Sequence, residues 1–267
     1  MSTQIARNTN IRFILEDAIQ IAALTTTPAA YATLPVTNVT SFASEAVLRV
    51  PGTGFTFRAV WSTARLFDTL ALSGHNLTSA AVVTFRLYES DGGAELASRI
   101  FTSITQTLSW VIDLVNPVEA KVFTITIVDD TNTMGFLQIG RVACGKAHVP
   151  VTNMGANASL EWKSTGTKER AKSGSMVVFP GYLYREIKLS FDFVSMEERD
   201  VLNSFFRQGG ASQSIFITCY PNWQYPNFEN DYHGFFHISE DSVPMSHTFM
   251  DQFALSFSVS DSALIAL

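Results

Sequence analysis

The sequence predicts an all-β protein of two β-sandwich or jelly-roll-like domains, the second carrying one α-helix at about 195–208. Three observations lead there. Short runs of β-branched and aromatic residues recur, as in VVTFRLY from Val82 and KVFTITIVDD from Lys121. Gly, Asn and Asp clusters punctuate them at intervals too short for crossover helices. One segment alone has both a helix-opening signal and a helical apolar stripe: Ser195 and Glu198 form an S-x-x-E box ahead of Val201, Leu202, Phe205 and Phe206.

In chain order, VVTFRLY is followed by Asp91 to Gly93, then by ELASRIFTSI. Asp-Gly and Gly-Gly supply the positive φ of tight turns, so a hairpin is expected here. SWVIDL is the next strand. After it, Phe123, Ile125 and Ile127 alternate with Thr124 and Thr126, a period of two that marks a half-buried strand. The polar group Asp129 to Thr133 turns the chain, and GFLQIGRVACG returns. Residues 36 to 147 show no strong helical period.

From His148 to Met176 the chain is polar, with Leu160 and Trp162 standing out, so a linker or long loop is expected to begin near Pro150. This divides the chain into domains 1–150 and 151–267. The second opens with YLYREIKLSFDFV, where Ile187, Leu189, Phe191 and Phe193 alternate with Lys188, Ser190 and Asp192. The helix follows, stopped by Gly209 and Gly210, and is expected to lie across a sheet. Strands return at SIFITCY, GFFHIS and HTFMDQFALSFSVS.

Composition narrows the function. The 267 residues are 46% hydrophobic and only 16% charged, so part of the apolar surface is expected against partners. A formal charge of -6 argues against nucleic acid, which needs clustered Lys and Arg. The nearest basic stretch, Lys163, Lys168, Arg170 and Lys172, is broken by Glu169 and reads as a solvated or subunit-contacting loop. Cys144 and Cys219 lie in apolar runs and read as buried free thiols. Glu16 and Asp17 interrupt the N-terminal segment, which lacks a secretory h-region, and no run of ~20 apolar residues suits a membrane. Synthesis in a cytoplasm, without membrane insertion, is the expectation. The run Ile19 to Leu24 would suit packing on its own domain or on a neighbour.

No catalytic constellation is legible. The string SGS at Ser173 lacks the G-x-S-x-G spacing of a nucleophile elbow, and neither a dinucleotide nor a nucleotide phosphate cradle is present. His233 and His237 are four apart, with no third ligand at zinc-like spacing. His75 reads as structural. Glu229, Asp231, Glu240 and Asp241 offer carboxylates, but no separation between them is readable. The expectation is a non-enzyme with neither cofactor nor metal. The segment most suited to contact is Tyr220 to Phe236, where Tyr220, Trp223, Tyr225, Phe228 and Tyr232 alternate with amides and carboxylates. Three readings stay open for these rings: packing on their own domain, a subunit interface, or stacking on a glycan.

Several phrases together resemble tail proteins of long-tailed bacteriophages. In the first half they are IRFILEDAIQIAAL, LPVTNV at Leu34 to Val39, LALSGHNL at Leu70 to Leu77, VTFRLYES and GFLQIGRVACG. This half is similar to galactose-binding-like jelly-roll modules. The second half, with REIKLSFDFVSMEERDVLNSFFRQGG, SIFITCYP and GFFHIS, is similar to the sheet-plus-helix domains of distal tail and baseplate proteins. The resemblance implies a virion structural protein that forms a homo-oligomeric ring, a hexamer favoured, joining the tail tube to tip or receptor-binding proteins. The alternative it leaves is a carbohydrate-recognition module that touches host surface glycan. It brings no catalytic motif.

Overall fold

The computed structural model describes residues 10–41, 43, 45–102, 104, 107–112, 117–155, 158–207, 213–221, 230–240, 243–249 and 252–261. The strands in chain order are β1 (Arg12–Ile14), β2 (Ala23–Thr27), β3 (Leu48–Pro51), β4 (Gly54–Phe67), β5 (Thr69–Ser73), β6 (Val82–Tyr88), β7 (Glu95–Phe101), β8 (Thr107–Val111), β9 (Val118–Val128), β10 (Phe136–Ile139) and β11 (Arg141–Gly145). There follow β12 (Ser159–Ser164), β13 (Thr167–Arg170), β14 (Met176–Phe179), β15 (Leu183–Ser195), helix α1 (Met196–Phe205), β16 (Ile215–Thr218), β17 (His233–Ile238), β18 (Met245–Phe249) and β19 (Gln252–Asp261). Contacts divide the chain into two units, Met1–Val149 with Phe216–Gly234 and Pro150–Ile215 with Phe235–Leu267. Residues Phe216 to Gly234 follow Pro150 in sequence yet join the first unit, because β16 pairs antiparallel with β1, Phe13 opposite Ile217.

The first unit is a β-sandwich of jelly-roll type. One layer is the antiparallel sheet β2-β4-β9-β6-β7; smaller sheets β11-β5-β8 and β10-β3 supply strands for the other. Phe57, Ile125 and Phe85 sit side by side across β4, β9 and β6 and point inward. They meet Leu70, Leu72, Leu108, Val142 and Leu137 in one core. Each such fully buried side chain contributes roughly 1.5–3 kcal/mol. Phe85 also lies edge-on to Phe123 at 5.5 Å and to Phe101 at 5.1 Å. On the other face Arg58 pairs with Asp91, and Arg86 with Glu95 at 3.3 Å. The expected hairpin at Asp91 to Gly93 joins β6 to β7, with Gly92 at φ 72°.

The N-terminal segment from Asn10 packs within this unit. Ile19 is fully buried, and Trp61 Nε1 donates to the Ala18 carbonyl at 2.7 Å. Asp17 Oδ1 accepts from the amides of Ile19 (3.1 Å) and Cys144 (3.0 Å), tying the 3-10 turn Ala18–Ile21 to β11. Asp17 as a residue is half-buried, but its Oδ2 is shut off from solvent. A second buried acid, Asp68, accepts from Ala147 N (2.8 Å) and Thr69 Oγ1 (2.9 Å), and Thr69 in turn accepts from the buried Arg12 (3.4 Å). Cys144 and Cys219 are buried free thiols, as expected.

In the second unit, β15 pairs with β12 and β19, and β19 pairs with β17 and β18, all antiparallel. Ile187, Leu189 and Phe191 lie opposite Val259, Phe257 and Leu255, all buried. Arg185 grips Asp261 bidentately at 2.7–3.1 Å and lies over the Phe236 ring at 5.3 Å. The expected capping box is present: Glu198 N donates to Ser195 Oγ (3.2 Å) and Ser195 N to Glu198 Oε2 (3.0 Å). Leu202 and Phe205 turn the helix inward, while Gly209 and Gly210 lie outside the described residues.

One expectation is corrected. The polar stretch His148 to Met176 contains β12 and β13, and β14 begins at its end. These strands escape sequence reading because neither presents a buried face, so no period of two develops; Trp162 is itself exposed.

Burial raises the Asp17 pKa from 3.8 to about 6, against the opposing pull of the Cys144 and Ile19 amides and Arg141. The folded chain therefore holds a proton that the unfolded chain releases, and stability from this group is full below about pH 4 and lost as pH rises through about 6, roughly 3 kcal/mol at most. Asp68 shifts the same way through burial. Urea midpoints taken from pH 4 to 7 should fall less steeply in Asp17→Asn, which keeps the Oδ1 acceptor. Equal slopes in the two proteins would show that the carboxyl titrates normally.

Candidate functional site

The aromatic segment is described only at its ends. Tyr220 and Tyr232 pack edge-to-face at 5.1 Å, and the Cys219 amide donates to the Tyr232 carbonyl at 3.1 Å. Both rings are half-buried, and burial first, with Cys219 beside them, holds their hydroxyls above the usual tyrosine range. At these two positions the rings pack on each other within the first unit. Trp223, Tyr225 and Phe228 lie outside the described residues.

A second set of groups is assembled by the fold at one rim of the first unit, from the loop after β5 and the loop between β9 and β10. Gly74 begins the first loop at φ 69°, and a Cβ there would meet the Gly140 Cα at 3.0 Å, so the chains cross only because neither carries a side chain. Asn76 then bridges to β10: its Nδ2 donates to the Phe136 carbonyl (3.0 Å) and its Oδ1 accepts from Gln138 N (2.8 Å). Asn132 Nδ2 donates back to the Asn76 carbonyl at 2.9 Å. Asp129, 1% exposed, takes the Thr78 amide and hydroxyl, both at 2.7 Å, and the Thr131 hydroxyl at 3.0 Å. Burial alone would raise its pKa, but these hydrogen bonds and Asn132 outweigh it and hold the carboxyl below the ordinary value. Beside them the Arg49 guanidinium lies over the Phe136 ring at 4.6 Å and donates to Gln138 Oε1 at 2.8 Å.

Asp129 is saturated by its own loops, so it positions the rim and leaves contact to its neighbours. Asp130 and Thr131 are exposed, as is Met134, and His75 is half-buried with its Nδ1 accepting from Leu77 N at 3.3 Å. The result is a rigid polar edge of hydroxyls, amides and a carboxylate next to a cation-covered ring.

The third set is in the second unit. Every residue from Thr167 to Pro180 is exposed, including Met176 (56%), Val177 (42%), Val178 (56%) and Phe179 (49%). β13 and β14 form a hairpin of their own, turned by Ala171 to Ser175 with Gly174 at φ 84°. The basic stretch is split by the fold: Lys168 and Arg170 lie on β13, Lys172 in the turn, while Lys163 on β12 is held by Glu186.

No family model and no curated protein matches the chain. Solved structures do. A Streptococcus pneumoniae fucose binding module matches at 9% identity and a TM-score of 0.38, over 48% of this chain and 96% of that one. The CBM32 of AlyQ, solved with 4,5-unsaturated mannuronic acid, matches at 18% identity and 0.37, over 46% of this chain and 94% of that one. A Ruminococcus gnavus GH29 fucosidase in complex with fucose matches at 11% identity and 0.42, over 51% of this chain and 28% of that one.

The remaining candidates are placed as follows. His233 is buried, with Nδ1 3.4 Å from Ser109 Oγ, and His237 is half-buried. Among the described residues no group of three His, Cys, Asp or Glu is placed to hold a metal ion. Burial, with Asp17 nearby, pushes the Cys144 thiol well above its usual value, which removes it as a thiolate nucleophile. Glu240 accepts from Ser258 at 3.1 Å and Asp231 is exposed, while Glu229 and Asp241 lie outside the described residues.

The rim is testable by stability. Asp129→Ala strands the Thr78 amide and two hydroxyls, and should cost about 2–3 kcal/mol in urea unfolding. Asp129→Asn should cost less, because one acceptor oxygen remains. The wild-type contribution should fade as pH falls through the lowered carboxyl pKa, the reverse of the Asp17 dependence. An Asp129→Ala protein as stable as wild type would show that the loops are held by other contacts.

Proposed function

We propose that this chain is a self-assembling structural protein, a distal-tail-like subunit of a bacteriophage tail tip or baseplate, and not an enzyme. The observation that carries self-assembly is the β13–β14 hairpin. A lone two-stranded hairpin is marginal in water, and one with four consecutive exposed apolar residues gains most when a partner covers it. The tail assignment rests on the resemblance of the quoted segments, and with it come a ring of copies and partners in the tail tube and tip. Function is then geometric: a head-to-tail contact repeated around an axis closes a ring without any bound cofactor.

Sedimentation velocity across a concentration series should give a species of two or more times 29.4 kDa. A monomer up to the highest soluble concentration would remove the reading.

A second reading, carbohydrate recognition at the tail tip, is favoured by the polar rim built on Asn76, Thr78 and Asp129. Rigid hydroxyl and amide groups beside a half-buried ring suit a ligand rich in hydroxyls. The ring-bearing segment with Trp223 and Tyr225 offers stacking partners to the same class of ligand. Fucose and 4,5-unsaturated mannuronic acid, bound in two of the matched structures, are suitable first probes. Titration by NMR should move Asp130, Thr131 or His75 resonances if this reading holds. An unresponsive rim, together with unchanged host adsorption in Trp223→Ala, would dispose of it.

A further inference from the structure

Arg12 on β1 is fully buried in the first unit, and so are Thr69 at the start of β5 and Thr218 on β16. The Arg12 Nη1 donates to Thr69 Oγ1 at 3.4 Å, while Nε and Nη2 have no partner in the protein. Those two nitrogens share one edge of the planar guanidinium, the edge whose parallel N–H groups hold an anion from two points. Thr218 lies directly opposite Arg12 in the β1–β16 pair, so both side chains leave the same side of the sheet. Its hydroxyl is likewise buried without a partner.

The nearby acid does not meet this edge. Asp68 acts on Arg12 through charge, but its Oδ1 is engaged by Ala147 N and Thr69 Oγ1, and the hydrogen bond that Arg12 makes goes to Thr69. Burial works against both charges: it lowers Arg12 from 12.5 to about 10 and raises the Asp68 carboxyl, and the attraction between the two opposes each shift only in part. An enclosed cation whose N–H groups face no acceptor is costly. The guest that relieves this cost accepts hydrogen bonds and carries negative charge. Water accepts from the same groups, but it brings two O–H groups that need acceptors of their own and leaves the charge uncompensated.

We infer that the first unit binds one small monovalent anion of halide size against the Nε–Nη2 edge of Arg12, with the Thr218 hydroxyl as a further donor. Full burial of both side chains limits the guest to an ion of this size. Held there, it ties β1 to β16, and through Arg12 Nη1 and Thr69 to β5.

Urea unfolding of the full chain in sodium chloride and in sodium gluconate at one ionic strength tests the site, since gluconate is too large to enter. The unfolding constant should fall about tenfold for each tenfold rise in chloride above its dissociation constant, because one anion binds the folded chain alone. Gluconate should have no such effect, and bromide should replace chloride. Thr218→Val keeps the side-chain shape and should fold, but should need about tenfold more chloride for the same gain, as one hydrogen bond to a charged group is lost. Arg12→Met, similar in length and without donors, should lose the response. A wild-type chain equally stable in chloride and gluconate overturns the site and leaves water as the partner of these donors. A chloride response unchanged in Thr218→Val overturns the placement, whether or not Arg12→Met folds.

Discussion

The first unit depends on β9 being paired along both edges. Phe57, Ile125 and Phe85 come level only because β4 and β6 share one register with it. A slip of a single residue would turn Phe123, Ile125 and Ile127 outward and bring Thr124 and Thr126 to the core, losing several buried aromatic and β-branched side chains at once. The outer layer follows from this, since Leu70, Leu72 and Val142 need the same apolar file to pack against. The loops joining the strands are then held close enough for Asn76 and Asp129 to knit them.

Polar groups inside this unit serve as ties. Asp17 anchors the N-terminal turn to β11, and Asp68 anchors the chain after β11 to the start of β5. Each accepts backbone amides that would otherwise be buried without a partner, which offsets part of the cost of enclosing a carboxyl. The raised pKa of each is the remainder of that cost. Asp129 shows the opposite balance: its carboxylate accepts more hydrogen bonds, which outweigh burial and hold it below the ordinary value.

The second unit is organised differently. The sheet around β15 and β19 has an apolar file and an anchored helix, yet the β13–β14 hairpin and the outer side of α1 leave large apolar groups in water. A surface of this kind suits a protein completed by its partners. The first unit offers a polar rim built on Asn76 and Asp129, and the second an exposed apolar and charged hairpin.

Elements with a buried face were legible in the sequence. The alternation through Phe123, Ile125 and Ile127, the turn at Asp91 to Gly93, the S-x-x-E box at Ser195 and the buried thiols all follow from local chemistry, because period, turn residues and caps are properties of a few neighbours in the chain. The β13 and β14 strands were not legible: with no buried face, they leave no period to read. Nor was the rim, whose Asn76, Thr78, Asp129 and Asn132 are ordinary loop residues until β9 and β10 bring them within hydrogen-bond reach. Tyr220 and Tyr232 were named from composition, but that they pack on each other is set by β16 and β17. Sequence alone thus determined an all-β chain with one capped helix, since those features are encoded within a turn or a strand. Which polar groups meet, and which apolar faces stay uncovered, was decided only by tertiary pairing, because both depend on residues far apart in the chain.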